Sequence, residues 1–252
     1  MREASAVVHT QGRTVDTVLF DLDGTLLPID QDLFVKSYFA ELAKKVAPLG
    51  YDPGSLVAAV VAGTRAMAEN DGSMTNAERF WDVFTGLLGP GIRKHEPVFE
   101  DFYRNEFNKV GVLASPTPKA AYCVRTLKQK GYDLVLATNP LFPMVGTLAR
   151  MGWAGVDPSD FSLITTYEDC RYCKPNRGYF EDIAARMGKA HGQCLMVGND
   201  ADEDLVAQDL GMDVFLLTDC LINKSGRDVS SYRKGGFDEL LMFIDGLPVL
   251  AR

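Results

Sequence analysis

Two carboxylates two residues apart, Asp21 and Asp23, follow the apolar run Thr17-Val18-Leu19-Phe20 and precede Gly24-Thr25-Leu26. A carboxylate at the exit of a buried strand costs free energy unless it is paired or bound to a cation. On a continuing strand the spacing puts both side chains on one face. Gly24 lets the backbone turn sharply just after them. Such a pair could hold a hard divalent cation, which prefers oxygen ligands. One carboxylate could also act as a nucleophile while the other moves protons. The competing reading is a plain Asp-Gly turn after a strand, so the rest of the chain must decide.

The elements that would carry these groups follow from hydrophobic patterning. A first strand is expected over 14–22, apolar without clean alternation, as in a strand covered on both faces. From about 30 to 112 strand signals almost vanish. Helices are expected over 32–47, 53–70, 75–88 and 94–109, the second capped by Asp52 with Pro53 in its first turn. Thr75 and Glu78 stand at capping-box spacing at the start of the third. These four, with aromatic faces, form a separate helical module. Beyond it strands (133–138, 161–165, 193–197, 213–217) alternate with helices (119–130, 141–151, 176–187, 202–210), and a last helix is expected over 237–244. Alternation of this kind implies right-handed crossovers and a mainly parallel, Rossmann-like doubly wound sheet. Ligands bind such sheets outside the carboxyl ends of the strands.

Each expected strand end carries a different chemical part. The first has Asp21 and Asp23; the second has Thr138 and Asn139. Lys174 follows the third, and Gly198-Asn199-Asp200, then Asp202, Glu203 and Asp204, follow the fourth. Carboxylates from the first and fourth could bind one Mg²⁺. A hydroxyl and an amide could donate to phosphate oxygens, and a lysine could neutralise charge. Together they make a kit for phosphoryl transfer, which is catalysed chiefly by positioning and electrostatics.

The bulk properties agree. The chain has 252 residues, 46% hydrophobic and 24% charged, with 34 acids against 26 Lys and Arg. The net charge of −8 argues against a nonspecific nucleic-acid surface. No apolar run reaches the length of a membrane span. Residues 1–13 read as a polar, weakly ordered start without the apolar core of a signal peptide. Five cysteines, an odd number, fit reduced thiols in the cytoplasm better than a disulfide framework. No feature specifies an oligomeric state.

In their order and spacing the four strand-end segments resemble the signature motifs of the haloacid dehalogenase superfamily. The Asp23-Gly24-Thr25 variant resembles its phosphatases, because the family's dehalogenases lack the second aspartate. The helical insert resembles the cap of the phosphoglycolate-phosphatase-like branch. The resemblance implies an α/β core over 14–29 and 113–252 and a helical cap over 30–112. It implies a phosphatase acting on a small phosphorylated metabolite, with Asp21 as nucleophile and Asp23 as acid and base. Thr138 and Asn139 would bind the phosphoryl group, and Lys174 would pair with it and with Asp21. Mg²⁺ would be held by Asp21, the Asp23 carbonyl and Asp200, with Asp204 orienting Lys174 or a metal-bound water. Glu203 competes with Asp204 for that last role. A sugar-phosphate mutase, or a catalytically weak binding protein on this scaffold, stays open as an alternative.

Weaker signals are read structurally. Cys170 and Cys173 form a Cys-x-x-Cys without a second metal pair, and His191 and Cys194 are badly spaced to supply one. Arg171 and Arg177 stand near Lys174 but read as surface residues. His9, His95 and His191 match no catalytic arrangement. The aromatics of 80–107 read mainly as the helical module's own core, with a few facing the crevice.

Overall fold

In the computed structural model, which describes residues 15–251, the strand that delivers Asp21 is β1 (Thr17–Phe20). Four helices follow it: α1 (Gln31–Val46), α2 (Pro53–Ala68), α3 (Asn76–Leu88) and α4 (Glu96–Arg104). Their starts are fixed by side chains. Asp30 accepts from Leu33 N–H and Asp52 from Ser55 N–H, and Thr75 and Glu78 close a full capping box. Phe34, Tyr38, Leu42, Leu56, Phe84, Phe102 and Phe107 make one buried cluster between these helices. The cluster extends to Phe142 and Trp153 in the following α/β region, so the helices are seated on it.

The chain then alternates: α5 (Pro118–Gln129), β2 (Asp133–Leu136), α6 (Met144–Ala154), β3 (Leu163–Ile164), α7 (Arg177–Met187), β4 (Cys194–Gly198), α8 (Val206–Asp209), β5 (Asp213–Leu217), β6 (Lys234–Gly235) and α9 (Phe237–Gly246). Among the described residues the strands form one all-parallel sheet in the order β3-β2-β1-β4-β5-β6. Both faces are covered. Val18, Phe20, Leu134 and Leu136 enter the core beneath α5 and α9. Leu19, Val135 and Met196 enter the core beneath α7. This explains why β1 lacks alternation.

Several boundaries differ from expectation. The start expected over 1–13 lies outside the described residues. The strand expected over 14–22 stops at Phe20, so Asp21 and Asp23 stand in the turn after it rather than on a continuing strand. The helix expected over 94–109 ends at Arg104, where Asn105 leaves helical geometry and a 3-10 segment (Glu106–Leu113) takes over. The helix expected from 141 starts at Met144. Pro143 precedes it, and the Glu168 carboxylate accepts the Met144 N–H. It runs to Ala154, closed by Gly155 at φ 70° rather than by Gly152. The strand expected over 161–165 shrinks to Leu163–Ile164, an edge strand paired on one side only. The helix expected over 202–210 is a run of turns with only Val206–Asp209 helical. Strand β6 has no sequence signal; Lys234 and Gly235 pair in register with Leu216 and Leu217.

Candidate active site

Strand register brings the polar ends together. Phe20 lies level with Leu136 and with Val197, so Asp21, the Ala137-Thr138 step and Gly198 leave the sheet side by side. Backbone bonds lock this exit: Asp21 N–H donates to the Val197 carbonyl at 2.9 Å, and Ala137 N–H to the Phe20 carbonyl at 2.7 Å. Asp21, Asp23, Thr138, Asn139, Lys174, Asp200, Glu203 and Asp204 all line one cavity at this edge.

Lys174 is its electrostatic centre. Only 3% exposed, it donates from Nζ to Asp21 Oδ1 at 2.8 Å and to Asp204 Oδ1 at 2.7 Å. Burial alone would lower its pKa, but the two carboxylates outweigh it and hold the ammonium well above its usual range. Lys174 is therefore a fixed cation. Asp204 turns back toward the sheet, and its Oδ2 accepts the Asp200 N–H at 3.0 Å. This is possible because residue 198 is glycine: a Cβ there would lie 2.1 Å from Asp204 Oδ2. Burial pushes Asp204 up to about 6 against the pull of Lys174. Glu203 takes a different partner, accepting from Asn139 Nδ2 at 3.0 Å, and burial pushes it to about 7. Of the two acids that competed for Lys174, Asp204 makes the contact.

Asp200 explains the missing helical turn. Its Oδ1 accepts the N–H groups of Asp202 (2.8 Å) and Glu203 (3.1 Å), capping a turn in place of a regular helix start. Asn139 is anchored as well: its Oδ1 accepts the Lys174 N–H at 3.3 Å. The Thr138 backbone carbonyl accepts from Tyr179 Oη (2.8 Å) and Thr165 Oγ1 (2.7 Å), which fixes its residue at the floor. The turn after Asp21 is held by Asn199. Its Oδ1 accepts from Thr25 Oγ1 at 2.9 Å, and Gly24, at φ 87°, leaves no room for a Cβ against the Asn199 amide.

Sequence reasoning missed Arg150. It lies on α6, 1% exposed, with its guanidinium 4.3 Å above the Phe142 ring and in an ion pair with Asp23. It also donates to Thr147 Oγ1 at 3.3 Å. Burial raises the Asp23 pKa even though Arg150 opposes it, and Asp23 Oδ1 is buried without a partner. Burial leaves Asp23 desolvated and inclined to take up a proton, while Arg150 pulls the other way. No motif marks an arginine on a helix as buried, so the sequence held no signal for it.

The donor set fits a divalent cation. Five carboxylates (Asp21, Asp23, Asp200, Glu203, Asp204) face two buried cations, Lys174 and Arg150. Asp200 forms no ion pair among the described residues, and burial raises its pKa. This surplus of desolvated negative charge is what a hard cation would neutralise. Among the described residues no three His, Cys, Asp or Glu side chains make a ready cage. Two carboxylates, a carbonyl and water are a ligand set that suits Mg²⁺.

The remaining candidates lie elsewhere. Cys170 and Cys173 are buried thiols whose pKa values burial pushes up. Their loop docks α3, with the Cys170 carbonyl accepting the Asn76 N–H at 2.8 Å and Cys173 Sγ accepting from Asn76 Nδ2 at 3.3 Å. Arg171 donates to the Gly72 and Ser73 carbonyls, and Arg177 to the Asp209 carbonyl. Neither lines the cavity. His95 packs edge-on against Tyr51, and His191 begins a 3-10 turn before β4.

Comparison with known proteins agrees with this architecture. The family model for haloacid dehalogenase-like hydrolases matches residues 15–209. The chain therefore belongs to the haloacid dehalogenase-like hydrolases and is an enzyme of that class. It is 28% identical over 222 residues, 83% of its length and 94% of the relative's, to glyceraldehyde 3-phosphate phosphatase of Methanothermobacter thermautotrophicus. Among solved structures, a HAD phosphatase from Thermococcus onnurineus matches with a TM-score of 0.59 at 20% identity, covering 94% of this chain and all of that one. The L-2-haloacid dehalogenase of Xanthobacter autotrophicus matches with a TM-score of 0.53 at 14% identity, covering 93% of this chain and all of that one. Phosphatase and dehalogenase share this fold, so the choice between them rests on site residues.

Proposed function

We propose that this enzyme is a Mg²⁺-dependent phosphatase that hydrolyses a small phosphate monoester through an aspartyl-phosphate intermediate. The observation that carries the reading is Asp21 held by Lys174, with a second acid, Asp23, two residues on in the same cavity. A dehalogenase has no use for that second acid, and a phosphatase needs one to serve a leaving alcohol. The curated relative's name supports a phosphomonoester substrate. In this reading residues 30–112 act as a cap over a core of 14–29 and 113–252.

An Asp21 oxygen forms a bond to phosphorus while the bond from phosphorus to the ester oxygen breaks. Asp23, desolvated and therefore easily protonated, gives its proton to the departing alkoxide. It then takes a proton from water as that water attacks the aspartyl phosphate, releasing inorganic phosphate and restoring Asp21. Lys174 and Thr138 hold the phosphoryl oxygens through both steps, and Asn139 keeps the Lys174 backbone in place. Asp21, the Asp23 carbonyl and Asp200 would hold the cation, which supplies charge neutralisation on the transferring group.

The test is phosphate release from a panel of phosphorylated metabolites with and without Mg²⁺, for the wild type and for Asp21→Asn. The expected result is Mg²⁺-dependent release by the wild type and none by the variant. Retained activity in Asp21→Asn would overturn the nucleophile. Isomerised sugar phosphate without free phosphate would overturn hydrolysis.

A further inference from the structure

The cavity that begins at Asp21 and Lys174 does not end at the phosphoryl site. Its volume is about 570 Å³, and it continues between the helices of the proposed cap. Pockets for drug-sized ligands span roughly 300–1,000 Å³, so this one has room for far more than a triose. Its wall is largely aromatic, built from Phe80, Trp81, Phe84, Phe99 and Tyr167, with Phe142 beside the phosphoryl site under Arg150. The rings brace one another: Phe80 stacks on Phe84 at 5.0 Å, and Phe99 meets Phe84 edge-on at 5.7 Å. Phe80, Phe99 and Phe142 remain half-buried beside a closed hydrophobic cluster, with the cavity in front of them.

Two of the hydroxyls that line the cavity are already occupied. The Tyr38 and Tyr103 hydroxyls bond to each other at 2.8 Å. The cations that line the cavity are Arg150, committed to Asp23; Lys174, committed to Asp21 and Asp204; Arg65, paired with Glu69 on the outer surface; and Lys224, exposed on the core side. A second anionic group on the substrate, such as a carboxylate, would meet no buried cation beyond Arg150 and Lys174 among the described residues, since Arg65 and Lys224 are exposed. A sugar or triose would leave most of the ring surface against water.

Resting on the phosphatase reading, we infer that the substrate's leaving group is a bulky apolar alcohol bearing an aromatic ring. Such a ring fills the wall in offset and edge-to-face contacts, while the phosphate sits at Asp21 and Lys174.

The test compares 2-(1-naphthyl)ethyl phosphate with ethyl phosphate, which ends where the ring begins and has a leaving oxygen of similar basicity. Glyceraldehyde 3-phosphate and phosphoglycolate complete the panel. The expected kcat/KM for the naphthyl ester exceeds the others by roughly tenfold or more, within the range seen when a hydrophobic pocket is filled. Thr64→Trp, which narrows the cavity from α2, should lower the naphthyl-to-ethyl ratio of kcat/KM about tenfold. A misfolded variant would lose both activities together and keep the ratio. Equal or better turnover of glyceraldehyde 3-phosphate overturns the inference and leaves the phosphatase reading standing. If no ester is hydrolysed, calorimetry with 2-(1-naphthyl)ethylphosphonate separates the two: binding, weakened by Thr64→Trp, supports the aromatic pocket while phosphatase action fails, and no binding overturns both.

Discussion

Replacing Arg150 with methionine should destabilise the protein strongly at neutral pH and much less in acid. Methionine keeps most of the side chain's length over Phe142 but removes the charge. Asp23 then faces a buried cavity wall with no cation in contact, and its Oδ1 already lacks a partner. Breaking a buried ion pair by deleting one member costs about 3–5 kcal/mol. Protonation sets a ceiling on that cost. Holding an ordinary aspartate neutral at pH 7 costs about 4 kcal/mol, at roughly 1.36 kcal/mol per pH unit, and at pH 5 it costs only about 1.5 kcal/mol. Loss of the cation–π contact adds on the order of 1 kcal/mol at either pH. Asp23 is already raised by burial in the wild type, and losing Arg150 raises it further. A carboxyl raised in the folded state contributes its stability below the unfolded pKa and loses it as pH rises through the folded value, so the penalty must grow with pH. Urea unfolding at pH 5 and pH 7 measures the difference. The double variant Asp23→Asn/Arg150→Met, with neither charge, should be more stable at pH 7 than Arg150→Met alone. A penalty below about 1 kcal/mol at pH 7, or one equal at both pH values, would refute the pairing argument.

Three further outcomes follow from the same geometry. Asp200→Asn should raise the Mg²⁺ concentration for half-maximal activity by roughly tenfold or more, as loss of a ligand outweighs loss of an outer-shell partner; an unchanged Mg²⁺ titration would move the ligand to Glu203 or Asp204. Cation-free protein should melt lower at pH 8 than at pH 5, because Glu203 and Asp204, raised to about 7 and about 6, lose their stabilising protons across that window. The Glu203 share is on the order of 2–3 kcal/mol, and Mg²⁺ should raise Tm more at pH 8 than at pH 5; melting that is flat with pH would contradict the cluster's desolvation. Gly198→Ala should cut kcat about tenfold or more by pushing Asp204 off Lys174, and steady-state kinetics with normal activity would show that Asp204 needs no such close approach.

What could be read from sequence divides along a physical line. A polar residue at the end of an apolar strand is costly to place there without a use, so Asp21, Thr138, Lys174 and Asp200 stood out before any contact was known. Parallel pairing then aligned Phe20 with Leu136 and Val197, and level strand ends make neighbours of residues more than a hundred positions apart. Boundaries failed where a side chain outcompeted the backbone pattern, as when Asp200 captured the N–H groups of Asp202 and Glu203 and left only Val206–Asp209 helical. Arg150 was illegible for a different reason. Within Leu148-Ala149-Arg150-Met151 it sits on a helix where arginine ordinarily faces solvent, and its burial depends on Phe142 and Asp23 arriving from elsewhere. The aromatics of the helical region share that limit, since periodicity says that Phe80 and Phe99 leave the helix surface on an apolar face but not whether another ring or an open cavity stands opposite. Strand ends therefore report where the polar groups gather, whereas the charge beside Asp23 and the aromatic walls of the cavity are set by contacts between elements, which no local pattern encodes.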